Sequence, residues 1–578
     1  MRAPASLLPF VSWPRPTRES LTADLSAGTA VALLVIPQSL AYAQLAGMPA
    51  QHGLYAALLP SIVGVLFGSS ALLSTGPVAM TSVLTASSVG LLAASGSEQY
   101  VMYVLLLALL SGMFQIGLGL ARAGLLLNLL SHPVLVGFIN AAAIVIGLSQ
   151  LPALTGITIP AGNSTLAGVG VLLAQWEQVH LPTLGMGLLA LAIMLGFRRW
   201  APARPGLPVM VAVLTLLSFA IGYAEHGGAV VGMVPTGLPS LSLPAANPQA
   251  MIDLLPAAFV VALVSFMEAM SSCKVIADKT RTPWDENREL IGQGLAKVVA
   301  AFCHSMPVSG SFSRSALNLS AGARSGYSSL VTAALVLVVV LFFTSLLHHL
   351  PKSALAAMIL LAVANLLNGP AMRQAWRTSR DDGMAALLSF VATLAFAPNI
   401  QNGIVVGILF SLGAFIYRRM KPRIVVYALA DDGSLRELDG GAPNHERVVA
   451  LRFDAALFFV NASFFEDAVL ELDHEHPGLE CIVVLAQGIN ILDATGVEML
   501  RYLVHQLRER RITLVVSQAQ RQFVEVCERT GLMSVLGRDN VFETHAAALE
   551  ALRLRRAPPS TASPAAPETS HDFALPTP

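Results

Sequence analysis

The chain reads as a polytopic α-helical membrane bundle of fourteen spans in two inverted halves, followed by a small α/β domain. Three observations predict this. Of 578 residues, 54% are hydrophobic and only 12% charged, a membrane composition rather than a soluble one. From about residue 21 to Tyr417, apolar stretches of spanning or half-spanning length follow one another. After Lys421, short strand-like runs alternate with helical periodicity, the pattern of an α/β domain.

The first seven spans fall near 23–44, 52–69, 76–95, 99–121, 133–152, 181–198 and 207–223. The second seven fall near 254–277, 287–304, 310–321, 326–349, 352–367, 384–398 and 400–417. Basic residues support this division. With both termini cytoplasmic, the inner loops contain Arg15, Arg18, Arg122, Arg198, Arg199, Arg204, Lys279, Arg281, Arg288, Arg324, Arg373, Arg377, Arg380, Arg418, Arg419, Lys421 and Arg423. The outer loops contain Lys352 alone, as the positive-inside rule demands. Residues 1–20 form a polar cytoplasmic lead-in without the short apolar core and cleavage site of a secretory signal. An odd number of spans per half inverts the second half relative to the first. Such repeats place a site near the midplane, at broken helices in matching positions.

The matching positions are legible. Met306-Pro-Val-Ser-Gly-Ser-Phe-Ser-Arg-Ser-Ala-Leu-Asn318 sits between spanning runs yet holds a Pro, a Gly, hydroxyl side chains and one Arg. Polar, irregular segments at membrane depth line cavities, because backbone groups cannot go unpaired in lipid. Its mate is Ser74-Thr-Gly-Pro-Val-Ala-Met-Thr-Ser82 at the start of the third span. Two facing half-helix N-termini would hold one anion through free N–H groups and aligned dipoles. Arg314 adds a full positive charge, or only pairs internally within the bundle. In the first span, Pro37 removes a helical hydrogen bond, and Gln38 and Tyr42 share a face. In the eighth, Glu268 and Ser272 are again four apart. Glu268 is a salt-bridge mate of Arg314, a proton carrier, or a sodium ligand with Ser272. Burial raises a carboxyl pKa and a nearby Arg lowers it, so the sequence leaves all three open. Lys274 is expected to snorkel to the inner interface. Lys297, in the ninth span, is expected to snorkel or to form a structural pair.

Residues 419–446 read as a linker and 447–553 as the soluble domain. There Val448–Phe453, Ala456–Val460, Cys481–Leu485 and Ile512–Val516 read as strands. Ser463–Leu472, Thr495–Glu509 and segments near 519–530 and 543–553 read as helices. Asp493 caps the helix that follows it, and that helix start would also accept a phosphate on Thr495. The Pro-, Ala- and Ser-rich residues 554–578 are expected to be disordered. Cys273, Cys303, Cys481 and Cys527 are scattered, without CxxC or metal spacing, and are expected to be free thiols. A net charge of zero suggests no nucleic-acid partner. There is no catalytic constellation, and neither enzyme activity nor a cofactor is expected.

Several of these residues also form a pattern that resembles the sulfate permease family of anion transporters, bacterial relatives of solute carrier family 26. The pattern comprises Pro37-Gln-Ser-Leu-Ala-Tyr-Ala43 with Gly53-Leu-Tyr55, Thr75-Gly-Pro77, Glu268 to Lys274, Glu289-Leu-Ile-Gly-Gln-Gly294, and Pro307-Val-Ser-Gly-Ser-Phe-Ser-Arg-Ser315. The soluble end, with Leu457-Phe-Phe-Val-Asn461 and Asp493-Ala-Thr-Gly496, resembles a STAS domain. The resemblance implies core and gate domains moving as an elevator in the bacterial inner membrane, and a homodimer held partly by STAS. It places the anion between Val78 on one side and Phe312, Ser313 and Arg314 on the other, closed by Gln38 and Tyr42. Glu268 and Ser272 stand where some relatives hold sodium with an Asp and a Thr. With Arg314 beside them, this departure favours a coupling proton or exchange over sodium. The family often has Asn near Lys297.

A secondary active transporter of a small inorganic anion is the leading reading, with sulfate first and bicarbonate, chloride or a dicarboxylate behind it. A nucleobase transporter of the same architecture would want carboxylate and amide groups reading a ring. A membrane anion sensor would use STAS as output, with a cytoplasmic partner docked there, and would bind without net flux.

Overall fold

The computed structural model describes residues 9–13, 15–124, 131–157, 165–201, 206–242, 244, 248–397, 399–429, 434–438 and 447–556. The chain divides into two compact units at Leu412 and Gly413.

The first unit holds α1 (Arg18–Leu45), α2 (Ala50–Ala56), α3 (Leu59–Phe67), β1 (Thr75–Gly76), α4 (Ala79–Val89), α5 (Glu98–Leu120), α6 (His132–Thr155), α7 (Thr165–Ala174), α8 (Leu181–Trp200) and α9 (Gly206–Ala220). The second half follows with α10 (Pro248–Thr280), α11 (Glu286–Phe302), β2 (Ser309–Gly310), α12 (Phe312–Ser320), α13 (Tyr327–Val338), α14 (Lys352–Ala364), α15 (Gly369–Thr378), α16 (Arg380–Ala395) and α17 (Gln401–Met420), whose C-terminal end lies beyond the unit boundary. Each expected span coincides with a helix, a helix pair or, for the third and tenth, a strand followed by a short helix. Nine helical stretches among the described residues are long and apolar enough to cross a membrane unaided. Chain entry into α1 is fixed by a capping box, in which Thr17 accepts from the Ser20 amide and Ser20 from the Thr17 amide. The helix then runs on through Pro37.

Reciprocal packing expresses the inverted repeat. α1 packs on α12 as its mate α10 packs on α4, and α1 on α13 as α10 on α5. Likewise α8 packs on α14 as α16 packs on α6. Two bodies result. One gathers α1–α5 with α10–α13, and the other gathers α6, α8 and α9 with α14–α16; Gly403 and Gly407 of α17 lie against α16 and α6. Small residues set a close seam between α5 and α11. A Cβ on Gly112 would lie 2.7 Å from the Gly294 carbonyl oxygen, a close approach typical of membrane helices without a solvent-driven core.

Two helices depart from expectation. α7 lies in an expected loop. α15 lies where basic residues mark an expected inner loop; its alternating charged and apolar residues bury none of their number. Arg204 lies outside the described residues.

The second unit carries a five-stranded sheet in the order β4-β3-β5-β6-β7, from β3 (Ile424–Leu429), β4 (Leu435–Glu437), β5 (Val448–Phe453), β6 (Cys481–Leu485) and β7 (Thr513–Ser517). Parallel pairing joins β5, β6 and β7, while β3 runs antiparallel to β5. The helices are α18 (Ala462–Glu475), α19 (Ala494–Glu509), α20 (Arg521–Arg529), α21 (Leu532–Leu536) and α22 (His545–Arg556). Three expectations are corrected here. The stretch expected as a linker supplies β3 and β4, which cover the edge of β5. Ala456–Val460 is not a strand: only Leu457 makes a bridge, to Leu492, and Asn461 folds the chain back by accepting from the Phe458 amide. α22 extends three residues into the expected tail, whose remainder, 557–578, lies outside the described residues.

Candidate functional site

The two polar segments meet as an antiparallel strand pair, Thr75 opposite Gly310 and Gly76 opposite Ser309. The Ser311 amide extends the pairing to the Ser74 carbonyl at 2.9 Å, and the Ser74 amide donates to Ser315 Oγ at 2.9 Å. Irregular backbone at this depth is thus satisfied by its repeat mate rather than by water. Immediately after the crossing, α4 begins at Ala79 and α12 at Phe312. Val78, at the N-cap of α4, offers no side-chain acceptor. Ser311 caps α12 by accepting weakly from the Arg314 amide at 3.5 Å. The opening N–H groups of both helices have no intrahelical partner, and their dipoles put positive potential at the crossing.

Arg314 is fully buried there. Its Nη1 donates to the Pro77 carbonyl at 2.7 Å and its Nε to Ser74 Oγ at 3.3 Å, so it ties α12 to the start of α4. Gly76 makes room: a Cβ there would lie 3.1 Å from Nη2. Nη2 itself is buried without a hydrogen-bond partner. Phe312 and Ser313 occupy the exposed face of the same turn.

Gln38 and Tyr42 are buried on one face of α1, which packs on both α4 and α12. Gln38 Oε1 has no partner, nor does Glu268 Oε2 on α10. Tyr42, Glu268 and Arg314 lie within electrostatic range of one another. Of the roles left open for Glu268, the direct salt bridge to Arg314 is not formed; among the described residues no carboxylate oxygen approaches the guanidinium within 4.0 Å. The Ser272 hydroxyl donates to the Glu268 backbone carbonyl at 3.1 Å rather than joining the carboxylate. Lys274 is exposed.

Sequence reasoning missed a polar stripe on α11, although Glu289, Gln293 and Lys297 recur every four residues and so share a face. All three are buried. Glu289 Oε2 accepts from the Ser69 and Ser70 amides at 2.8 and 3.0 Å. Gln293 Nε2 donates to Glu289 Oε1 at 2.9 Å and to Thr75 Oγ1 at 2.8 Å, bracing β1. Ser61 Oγ holds the Thr75 carbonyl from α3 at 2.8 Å. Lys297 does not snorkel. It is fully buried, and its Nζ donates to Gln115 Oε1 on α5 at 2.7 Å.

In the second unit, Asp493 caps α19, accepting from the Gly496 amide at 2.8 Å and the Phe459 amide at 2.9 Å. Thr495 is exposed on the first turn of that helix. All four cysteines are buried, and none forms a disulfide among the described residues. Burial, with the Glu528 carboxylate next, pushes the Cys527 thiol up to about 12.

Comparisons with known proteins agree with this architecture. The sulfate permease family profile matches residues 21–389, and the STAS domain profile matches residues 442–548. A chloroplastic protein named sulfate transporter 4.1, from Arabidopsis thaliana, is 30% identical over 558 residues, covering 93% of this chain and 81% of the relative. A probable sulfate transporter of Mycobacterium tuberculosis is 31% identical over 543 residues, covering 93% and 96%. The inward-facing structure of murine solute carrier 26 family member A9 superimposes with a TM-score of 0.87 at 21% identity, covering 96% of each chain. The transmembrane domain of the cyanobacterial bicarbonate transporter BicA gives a TM-score of 0.58 at 22% identity over 69% of this chain and 99% of its own. These structures share the fold. With that architecture, and with a family profile covering most of the membrane unit, the chain belongs to the sulfate permease family, a family of membrane transporters rather than enzymes, and ends in a STAS domain.

Proposed function

We propose that this protein is a secondary active transporter of a small inorganic anion, sulfate first, with bicarbonate, chloride or a dicarboxylate behind it. One observation carries the reading: two helix starts, one uncapped and one only weakly capped, converge beside a buried arginine whose Nη2 lacks a partner. Such a place rewards a compact, multiply charged anion, because each added charge gains from N–H groups, dipoles and guanidinium together. The names of the relatives, sulfate transporters in a plant and a bacterium, favour sulfate.

In this mechanism Val78, Phe312, Ser313 and Arg314 hold the anion. Gln38 and Tyr42 close over it from α1. The body built on α1–α5 and α10–α13 then moves as an elevator against the other body. Glu268 serves as proton carrier, with exchange as the other coupling mode. A protonated Glu268 removes a negative charge from beside the incoming anion, so anion and proton enter together. The basic-residue bias puts both termini in the cytoplasm of a cell whose plasma membrane holds the bundle. STAS supports a homodimer, and Thr495 offers its helix start to a regulatory phosphate.

The test is uptake of radiolabelled sulfate into proteoliposomes holding the purified full chain. Acid outside should accelerate uptake by the original protein, and Arg314→Ala should slow it at least about tenfold, the loss expected for one charged hydrogen-bonding group. Undiminished uptake by Arg314→Ala would remove that residue from the site. Saturable binding without net flux would support a sensor instead.

A further inference from the structure

Lys297 is left over by this mechanism. Glu289 and Gln293, one and two turns before it on the α11 stripe, are consumed in bracing β1. Lys297 has three donors, and its one described hydrogen bond goes to Gln115. A neutral amide would make that bond without the penalty of burying a full charge. The connection beyond Gln115 is informative. Gln115 Nε2 donates to the Ala262 carbonyl at 2.7 Å and to Ser265 Oγ at 3.1 Å on α10. The Ser265 carbonyl in turn accepts from Ser309 Oγ of β2 at 2.6 Å. Glu268 stands one turn beyond Ser265, its Oε2 unpartnered and within electrostatic range of both Lys297 and Arg314.

We propose that Lys297 is a second cation of the transport site, a positioning residue that acts through Glu268 to set the pH at which a doubly charged anion is accepted. Charge counting supports this. Arg314 and Lys297 with ionised Glu268 sum to one positive charge, and with protonated Glu268 to two. The protonated site therefore matches a dianion, and the ionised site does not. The charged or titratable groups facing Glu268 are Arg314 from α12, Lys297 from α11 and Tyr42 from α1. α4 has no titratable residue, α5 brings Gln115, and Cys273 lies on α10 itself. Lys297 in turn faces Glu268; α3 has no titratable residue.

The inference rests on Glu268 being the proton carrier, and the experiment separates the two. Initial sulfate uptake into proteoliposomes is measured from about pH 5 to pH 8 for the original chain, Lys297→Met, Lys297→Arg and Glu268→Gln, a range set by a buried carboxyl. Loss of the Lys297 charge leaves Glu268 protonated to higher pH. Lys297→Met should therefore move the pH of half-maximal uptake upward by about one unit, and Lys297→Arg should restore it. Glu268→Gln should flatten the profile. A Lys297→Met profile superimposable on the original overturns the inference. A sloping Glu268→Gln profile overturns the proton-carrier reading beneath it. If Lys297→Met does not assemble, Lys297→Gln removes the charge while keeping a polar partner for Gln115. An unmoved midpoint in that variant also overturns the inference.

Discussion

Arg314 does two jobs with one guanidinium. Nη1 and Nε are spent on Pro77 and Ser74, joining two repeats, while Nη2 has no partner and is the donor that the proposed site turns to the anion. Arg314→Ala should therefore lose stability as well as transport, about 1–3 kcal/mol for stranding the buried Pro77 carbonyl. Thermal unfolding of the detergent-solubilised variant measures this. Arg314→Lys keeps the charge but not the planar fork, and should recover part of the uptake and little of the stability. The cysteines give a second residue-scale prediction. All four are buried, and the Cys527 thiol sits near 12, so its thiolate is scarce at neutral pH. Maleimide should leave the native protein unlabelled and label all four thiols after denaturation. Rapid labelling of native protein would contradict the packing around them.

At the scale of elements, α5 and α11 depend on a missing side chain. Gly112→Leu would drive a side chain into the Gly294 backbone. It should destabilise the membrane unit by about 1–3 kcal/mol, the usual cost of overpacking, while Gly117→Leu, with open space around it, should be tolerated. Comparing the two melting temperatures checks this. The long elements were legible from composition alone, because an apolar run of spanning length has few alternatives. The polar faces of α1 and α10 were legible because Gln38 with Tyr42, and Glu268 with Ser272, keep helical spacing on an apolar background. β1 and β2 were not, since two residues leave no period to read and their pairing partners lie far apart in sequence. β3 was hidden by its position directly behind the basic cluster from Arg418 to Arg423. The α11 stripe was readable as spacing but not as partnership, because Lys297 meets Gln115 only once α5 and α11 are folded together.

For the whole molecule, the inverted repeat makes the site a product of symmetry: each half contributes one strand and one helix start, and neither half satisfies its own irregular backbone. The proposed orientation is testable by the same symmetry. Lys352 and Arg373 are both exposed and belong to opposite sides in the positive-inside assignment. Because the native thiols are buried, single replacements Lys352→Cys and Arg373→Cys can be labelled directly. An impermeant maleimide added to intact cells should modify the first and spare the second, and the reverse pattern would invert the molecule. The central claim is the place of the anion. A crystal of the protein grown with selenate, a heavier dianion of sulfate geometry, gives an anomalous signal at the bound ion. One peak is expected about 3 Å from the opening amides of α4 and α12, within hydrogen-bond reach of both. A peak elsewhere in the bundle, with that meeting point empty, would contradict it.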